Sequence, residues 1–326
     1  MDLMLLVITI VILGLIFDYT NGFHDAANVV STVIATKVLT PVVAIILAGI
    51  LNTLGASHTS GVAQTIASGL VETSSATEIM VICAISGAIA WNLLTWYFGI
   101  PSSSSYALIG GLLGATWYVQ GKEAILWVSL IYKVIIPMFV SPIIGFLLAL
   151  AIMKVLNIYC RTKKREAVFR YLQILSASIV ALSHGLNDAQ KSMGIITLGL
   201  FAGGVIATPL IPFWVVLACA LVIGLGTASG GFRIIRTMGF RLTRLQPIQG
   251  FAAETSASFV ILSASFLGMP LSSTQMIAGS IAGVGAVSGF KAVNWSLCYQ
   301  IVIAWVLTLP GAGLISLLLY LIINYF

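Results

Sequence analysis

Charge is scarce in this chain. Only 7% of its 326 residues are Asp, Glu, Lys or Arg, while 60% are hydrophobic; a soluble domain carries about a quarter charged residues, so a soluble globular protein is excluded. Alternation of apolar and polar residues is missing as well, which removes a membrane β-barrel, whose strands need alternating segments of about ten residues. There is no CxxC, and Cys83, Cys160, Cys219 and Cys298 lie far apart, three of them inside apolar runs; they read as small buried residues. The three histidines, His24, His58 and His184, lack a metal-ligand spacing, which argues against a transition-metal centre. The first segment has Asp2 in place of a basic flank and no small-residue cleavage site, so it reads as a membrane helix rather than a removed signal.

What the chain does have is long apolar runs, among them Leu3 to Phe17, Ile79 to Gly99, Ala124 to Leu156, Phe213 to Leu225 and Val293 to Ile323. A helix crosses a bilayer with about 20 such residues. The expectation is an all-α, polytopic protein of the cell membrane with the lipid bilayer as its solvent. The net charge of +6 comes largely from basic residues in two short loops, which set membrane topology rather than bind nucleic acid.

Two polar patches interrupt the oil, 20-TNGFHDAANVVS-31 and 183-SHGLNDAQKS-192, and a shift of 163 positions pairs Gly22 with Gly185, Asp25 with Asp188 and Ala26 with Ala189. Further on, 101-PSSSSYALIGG-111 matches 270-PLSSTQMIAGS-280, and between the two blocks Ala56, Ser57 and Thr65 pair with Ala228, Ser229 and Thr237. Three collinear matches point to an internal duplication of about 150 residues per half. The expected division is a first repeat over 1–153, a basic linker over 154–170 and a second repeat over 171–326, all within one transport unit.

Lys154, Arg161, Lys163, Lys164, Arg165 and Arg170 crowd the linker, which places it in the cytoplasm. Arg233, Arg236, Arg241 and Arg244 mark a second cytoplasmic loop, yet the matching stretch 61-GVAQTIASGLVE-72 has no basic residue. Matching loops then lie on opposite faces, the N-terminus lies outside and the repeat is inverted. Inverted repeats with broken helices and a site near the midplane recur in secondary transporters.

Gly22 and Gly185 are expected to weaken their helices beside the carboxylates, freeing backbone groups. An intramembrane Asp costs a few kcal/mol, so Asp25 and Asp188 are paired, protonated or cation-bound; Lys191 can pair with Asp188 at i,i+3. Each serine block, a proline followed by hydroxyls and a short apolar stretch, looks like a re-entrant hairpin whose tip caps a half-helix. Free amides and the positive dipole end would there form an anion cradle. Carboxylates and an anion repel at close range in a low dielectric. Lys191 alone does not balance two aspartates and a doubly charged substrate, so cations or protons must enter with it. Glu72, Asn92, Thr95, Glu254, Thr255 and Ser258 are further oxygen carriers of the kind hard cations prefer.

In these residues the chain resembles the PiT-type inorganic phosphate transporters. Their duplicated GANDxANA-like signature is matched by 22-GFHDAANV-29 and 185-GLNDAQKS-192, joined by the serine blocks and 253-AETSASFVI-261. His24 stands where the first signature has Asn, and Gln190 with Lys191 replaces the Ala-Asn of the second. The resemblance implies phosphate import by alternating access, driven by Na⁺ or, alternatively, H⁺, and an inverted duplication of about twelve helical segments. It implies phosphate contact at Asp25, Asn28, Ser104, Ser105, Asp188, Gln190, Lys191, Ser273 and Thr274. It also implies Na⁺ coordination by Asn21, Asp25, Asn92, Asn187, Asp188 and Glu254. No prosthetic group and no enzymatic activity are expected, and a homodimer is left open. A passive anion channel and an intramembrane aspartyl protease are the competing classes; 185-GLND-188 lacks the second glycine of a protease GxGD motif.

Overall fold

The computed structural model describes residues 2–58, 61–159 and 166–325. Among the described residues thirteen α-helices follow one another: α1 Leu3–Ala35, α2 Pro41–Ala56, α3 Gly61–Ser68, α4 Glu78–Phe98, α5 Ser104–Gln120, α6 Trp127–Leu130, α7 Ile136–Tyr159, α8 Glu166–Ala202, α9 Phe213–Ser229, α10 Phe232–Arg236, α11 Pro247–Phe266, α12 Ser273–Val287 and α13 Trp295–Tyr325. Short π-helical turns, Ile131–Ile135 and Thr237–Arg241, extend α6 and α10. Five helical runs are long and apolar enough to cross a membrane, and seven if each of two bent pairs is one span, counted among the described residues. Cys160 and the basic residues expected at 161 and 163–165 lie outside the described residues.

Local sequence sets the ends of these helices. Asp2 caps α1 by accepting from the Met4 amide, and Thr77 caps α4 through Met80 N. Proline opens α2 and α11, where its missing N–H is no loss. Gly99 ends α4 at φ 66° and Gly268 follows α11 at φ 67°, a left-handed turn that glycine enters without steric cost. Each turn leads into a serine block.

The helices expected to break do not. α1 runs for 33 residues through Gly22 and α8 for 37 through Gly185, so no carbonyl is released there as a ligand. Both glycines are crossing points instead. A Cβ on Gly22 would stand 2.6 Å from Ile223 O and 3.0 Å from Gly226 Cα on α9, and one on Gly185 would strike the Asn52 backbone on α2. The real interruptions fall at the third matched block, where α2 and α3 are inclined by 71° and α9 and α10 by 58°.

α1 and α8 run antiparallel. Gly199 meets Ile10, Gly14 meets Ile196 and Ser192 bonds Asp18. α7 packs on α12 while α13 packs on α5. Each of these partners carries an internal proline, Pro142 and Pro310. Each also approaches a glycine of the serine-capped helix: a Cβ on Gly279 would lie 2.5 Å from Pro142 O, and one on Gly110 would meet Leu309 O. Thr65 donates to Gly268 O at 2.8 Å and Thr237 to Gly99 O at 2.9 Å, the same bond made twice.

Candidate functional site

α5 and α12 have 17 and 15 residues, too few to cross a bilayer unaided. Their N-caps are the matched serines Ser103 and Ser272, whose hydroxyls accept from Tyr106 N and Gln275 N at 3.3 Å each. The tips, Ser102 to Ser105 and Ser272 to Gln275, are buried throughout. Both end at α1. Ser104 Oγ donates to Asp25 Oδ2 at 3.0 Å, and Thr274 Oγ1 donates to Asp25 Oδ1 at 3.2 Å. One turn further along α1, the Asn28 amide donates to Ser273 Oγ at 3.2 Å and to Thr274 Oγ1 at 2.9 Å.

α8 completes the centre from the other side. The Lys191 ammonium, fully buried, spends its three hydrogens on Asp188 Oδ1, Ser105 Oγ and Leu271 O, the last at 2.9 Å. His184 Nε2 lies 3.1 Å from the other Asp188 oxygen. Ligand atoms of Asp25, His184 and Asp188 all fall within 4.8 Å of one another. The i,i+3 pair read from the sequence is therefore present, and it is set inside the polar centre.

Of the residues expected to meet phosphate, Asp25, Asn28, Ser104, Ser105, Asp188, Lys191, Ser273 and Thr274 come together. Gln190 does not join their hydrogen bonds: its amide accepts from Ala63 N at 3.2 Å and donates to His58 O at 3.0 Å, because its position on α8 faces α3. Among the expected cation ligands, Asn21 and Asn92 are fully buried with no hydrogen bond to either side-chain polar atom. Asn187 donates to Ser265 Oγ at 2.8 Å and leaves its own oxygen unpartnered. Glu254 forms a separate node, accepting from Thr32 Oγ1 at 2.5 Å, Gln173 Nε2 at 3.0 Å and Ser176 Oγ.

Several polar groups at the centre escaped the sequence reading. His24 Nδ1 contacts Asp25 Oδ1 at 2.7 Å, and its Nε2 meets Thr95 Oγ1 at 3.2 Å and Ser102 Oγ at 3.3 Å. His184 Nδ1 meets Asn52 Oδ1 at 3.3 Å. Histidine spacing is uninformative because these rings meet the carboxylates by position on a helix, and the i,i+4 relation of His184 to Asp188 was the available signal. Asp18, buried with Ser192 Oγ 2.6 Å from one oxygen, was missed for lack of a counterpart in the second half.

Crossed membrane helices with two hydroxyl-rich tips on buried carboxylates define a polytopic membrane protein with a buried polar centre. The description of the Phosphate transporter family matches residues 21–167 and 160–316. The chain is 44% identical over 320 residues to a probable low-affinity inorganic phosphate transporter of Rhizobium meliloti, covering 97% of this chain and 96% of that one. It is 41% identical over 328 residues to a protein of the same description from Bacillus subtilis, covering 99% and 98%. A solved structure described as the sodium-dependent phosphate transporter superposes with a TM-score of 0.91 at 24% identity, over 98% of this chain and 99% of that one; this likeness establishes the fold. The chain belongs to the phosphate transporter family.

Proposed function

We propose that this protein imports inorganic phosphate across the cell membrane by alternating access, in symport with a cation, Na⁺ in the first place and H⁺ as the alternative. The observation that carries the proposal is the convergence of both serine tips on Asp25. Two sets of helix-terminal amides and hydroxyls, which suit a tetrahedral oxyanion, thus face carboxylates, which repel one. The conflict is relieved when a cation takes over the carboxylates and frees the hydroxyls to donate to phosphate. Family membership and the descriptions of the relatives support the substrate, and the description of the superposed structure supports Na⁺.

In this reading Ser104, Ser105, Ser273, Thr274, Asn28 and Lys191 hold phosphate. Asp25 and Asp188 bind the cation, with Asn21, Asn92 and Asn187 offering their unpartnered oxygens, and Glu254 forms a second cation position. Two inverted halves, 1–153 and 171–326, would rock about this centre, with the N-terminus outside and the linker in the cytoplasm. The antiparallel course of α1 and α8 and the doubled Thr65 and Thr237 bonds support that arrangement.

The test is uptake of labelled phosphate into proteoliposomes with and without an inward Na⁺ gradient, for the wild type and Asp188→Asn. Concentrative uptake that requires the gradient and disappears in the variant is expected. Uptake driven equally well by a proton gradient alone assigns H⁺. Downhill flux independent of any cation would make the protein a channel.

A further inference from the structure

Three arginines surround a cavity that the transport site does not use. The cavity measures 450 Å³ and is walled by Tyr97 and Gly99 at the end of α4 and by Arg233, Arg236, Thr237 and Arg241 on α10 and its π turn. Arg233 is held in place: its guanidinium lies 5.2 Å from the Trp96 ring centre and 4.9 Å from that of Tyr97, and it donates to Tyr97 O. Thr237 ties the π turn to Gly99 O at 2.9 Å. No Asp or Glu lines this cavity, and no ion pair engages the three arginines among the described residues. Three positive charges thus converge without a counter-ion.

The fold does not demand this charge. Its matched element, α3, is also bent away from the helix before it and makes the same threonine bond to a helix-ending glycine, through Thr65 and Gly268, yet 61-GVAQTIASGLVE-72 supplies no arginine or lysine. Setting the membrane orientation requires basic residues near the loop but not their closure around one cavity. Guanidinium groups in a fork geometry suit phosphate oxygens in particular. The neighbouring Tyr97 and Phe98 are 61% and 65% exposed, as in an aromatic belt at headgroup level. Basic pockets between membrane helices take phospholipid headgroups. Gly99, which lines the cavity, lies three residues before Ser102 in the chain.

We infer that Arg233, Arg236 and Arg241 form a second phosphate-oxyanion site, separate from the transport site, taking either the headgroup of an anionic phospholipid or free inorganic phosphate.

The experiment uses the full chain carrying Ser104→Ala/Thr274→Ala, which strips phosphate donors from the transport site, with and without Arg236→Gln/Arg241→Gln; Arg244→Gln, outside the cavity, is the charge control. One arm measures retention of phosphatidylglycerol against phosphatidylcholine by native mass spectrometry. The other measures binding of labelled inorganic phosphate to delipidated protein in detergent. Loss of two such contacts is expected to weaken binding roughly thirtyfold, in the lipid arm if the source is a headgroup and in the phosphate arm if it is free phosphate, while Arg244→Gln behaves like its parent. Because the substituted arginines are exposed, the arginine variants are expected to keep the parent's size-exclusion profile; Arg241→Gln alone is the milder variant. Equal binding with and without the arginines, or an equal loss in Arg244→Gln, overturns the site. Should phosphate uptake by the wild type fail, the proposed function falls while these binding measurements still stand.

Discussion

Lys191 and Asp188 form an ion pair on successive turns of α8, with both side chains sealed from solvent. Removing one member of a buried pair leaves the other charge uncompensated, at a cost of about 3–5 kcal/mol. Lys191→Met should therefore lower the unfolding temperature in detergent sharply, and Lys191→Met/Asp188→Asn should recover most of the loss. Transport should stay absent in both. A single variant as stable as the wild type would mean that Asp188 is already neutral or otherwise partnered.

Ser104 and Thr274 come from opposite tips and bond opposite oxygens of Asp25. A hydrogen bond to a charged group is worth about 1.5–3 kcal/mol, so Ser104→Ala and Thr274→Ala should each raise the KM for phosphate uptake by about tenfold or more. Ser263→Ala, whose hydroxyl only bonds back to Phe259 O, serves as control. Unchanged KM values in both tip variants would remove the tips from substrate binding.

Parts of this arrangement were legible because their signals are local. Hydrophobic runs located the spans, a proline followed by hydroxyls located the two capping tips without fixing which serine caps, and spacing on one helix paired Lys191 with Asp188. What crosses between helices was hidden. His24 reaching Thr95 and Ser102, Asn28 reaching Thr274, and Gln190 turning toward α3 depend on crossing geometry that no local pattern encodes. Gly22 and Gly185 were misread because a glycine in a helix looks the same in sequence whether it loosens the backbone or admits a neighbour. Their role became visible only with the α9 and α2 backbones lying against them.

That distinction can be tested on Gly22. If its purpose were to weaken α1, Gly22→Ala would strengthen the helix by about 1 kcal/mol. With Ile223 O at 2.6 Å from the added Cβ, the structure requires α9 to move away, and overpacking costs about 1–3 kcal/mol. The variant should be less stable than the wild type in thermal unfolding. Gly204→Ala, at φ 66° with nothing within 4 Å, isolates backbone strain from steric contact. A Gly22→Ala protein that melts higher than the wild type would restore the broken-helix reading.

Glu254 poses the sharpest question about coupling, because its carboxylate is already satisfied by Thr32, Gln173 and Ser176. Satisfied hydrogen bonds make a structural node sufficient, yet the node also assembles a carboxylate and two hydroxyls, hard oxygen ligands that suit Na⁺. Glu254→Gln separates the two roles. It keeps the shape but removes the charge and sets an amide N–H₂ against groups that now donate. As a cation position, it predicts an Na⁺ concentration for half-maximal uptake raised about tenfold, with the phosphate KM at saturating Na⁺ nearly unchanged. As a structural node alone, it predicts the wild-type Na⁺ dependence and a stability loss of about 1–3 kcal/mol. Measuring Na⁺ activation curves and thermal unfolding on the same preparation decides between them, since only a cation ligand shifts the first without requiring the second.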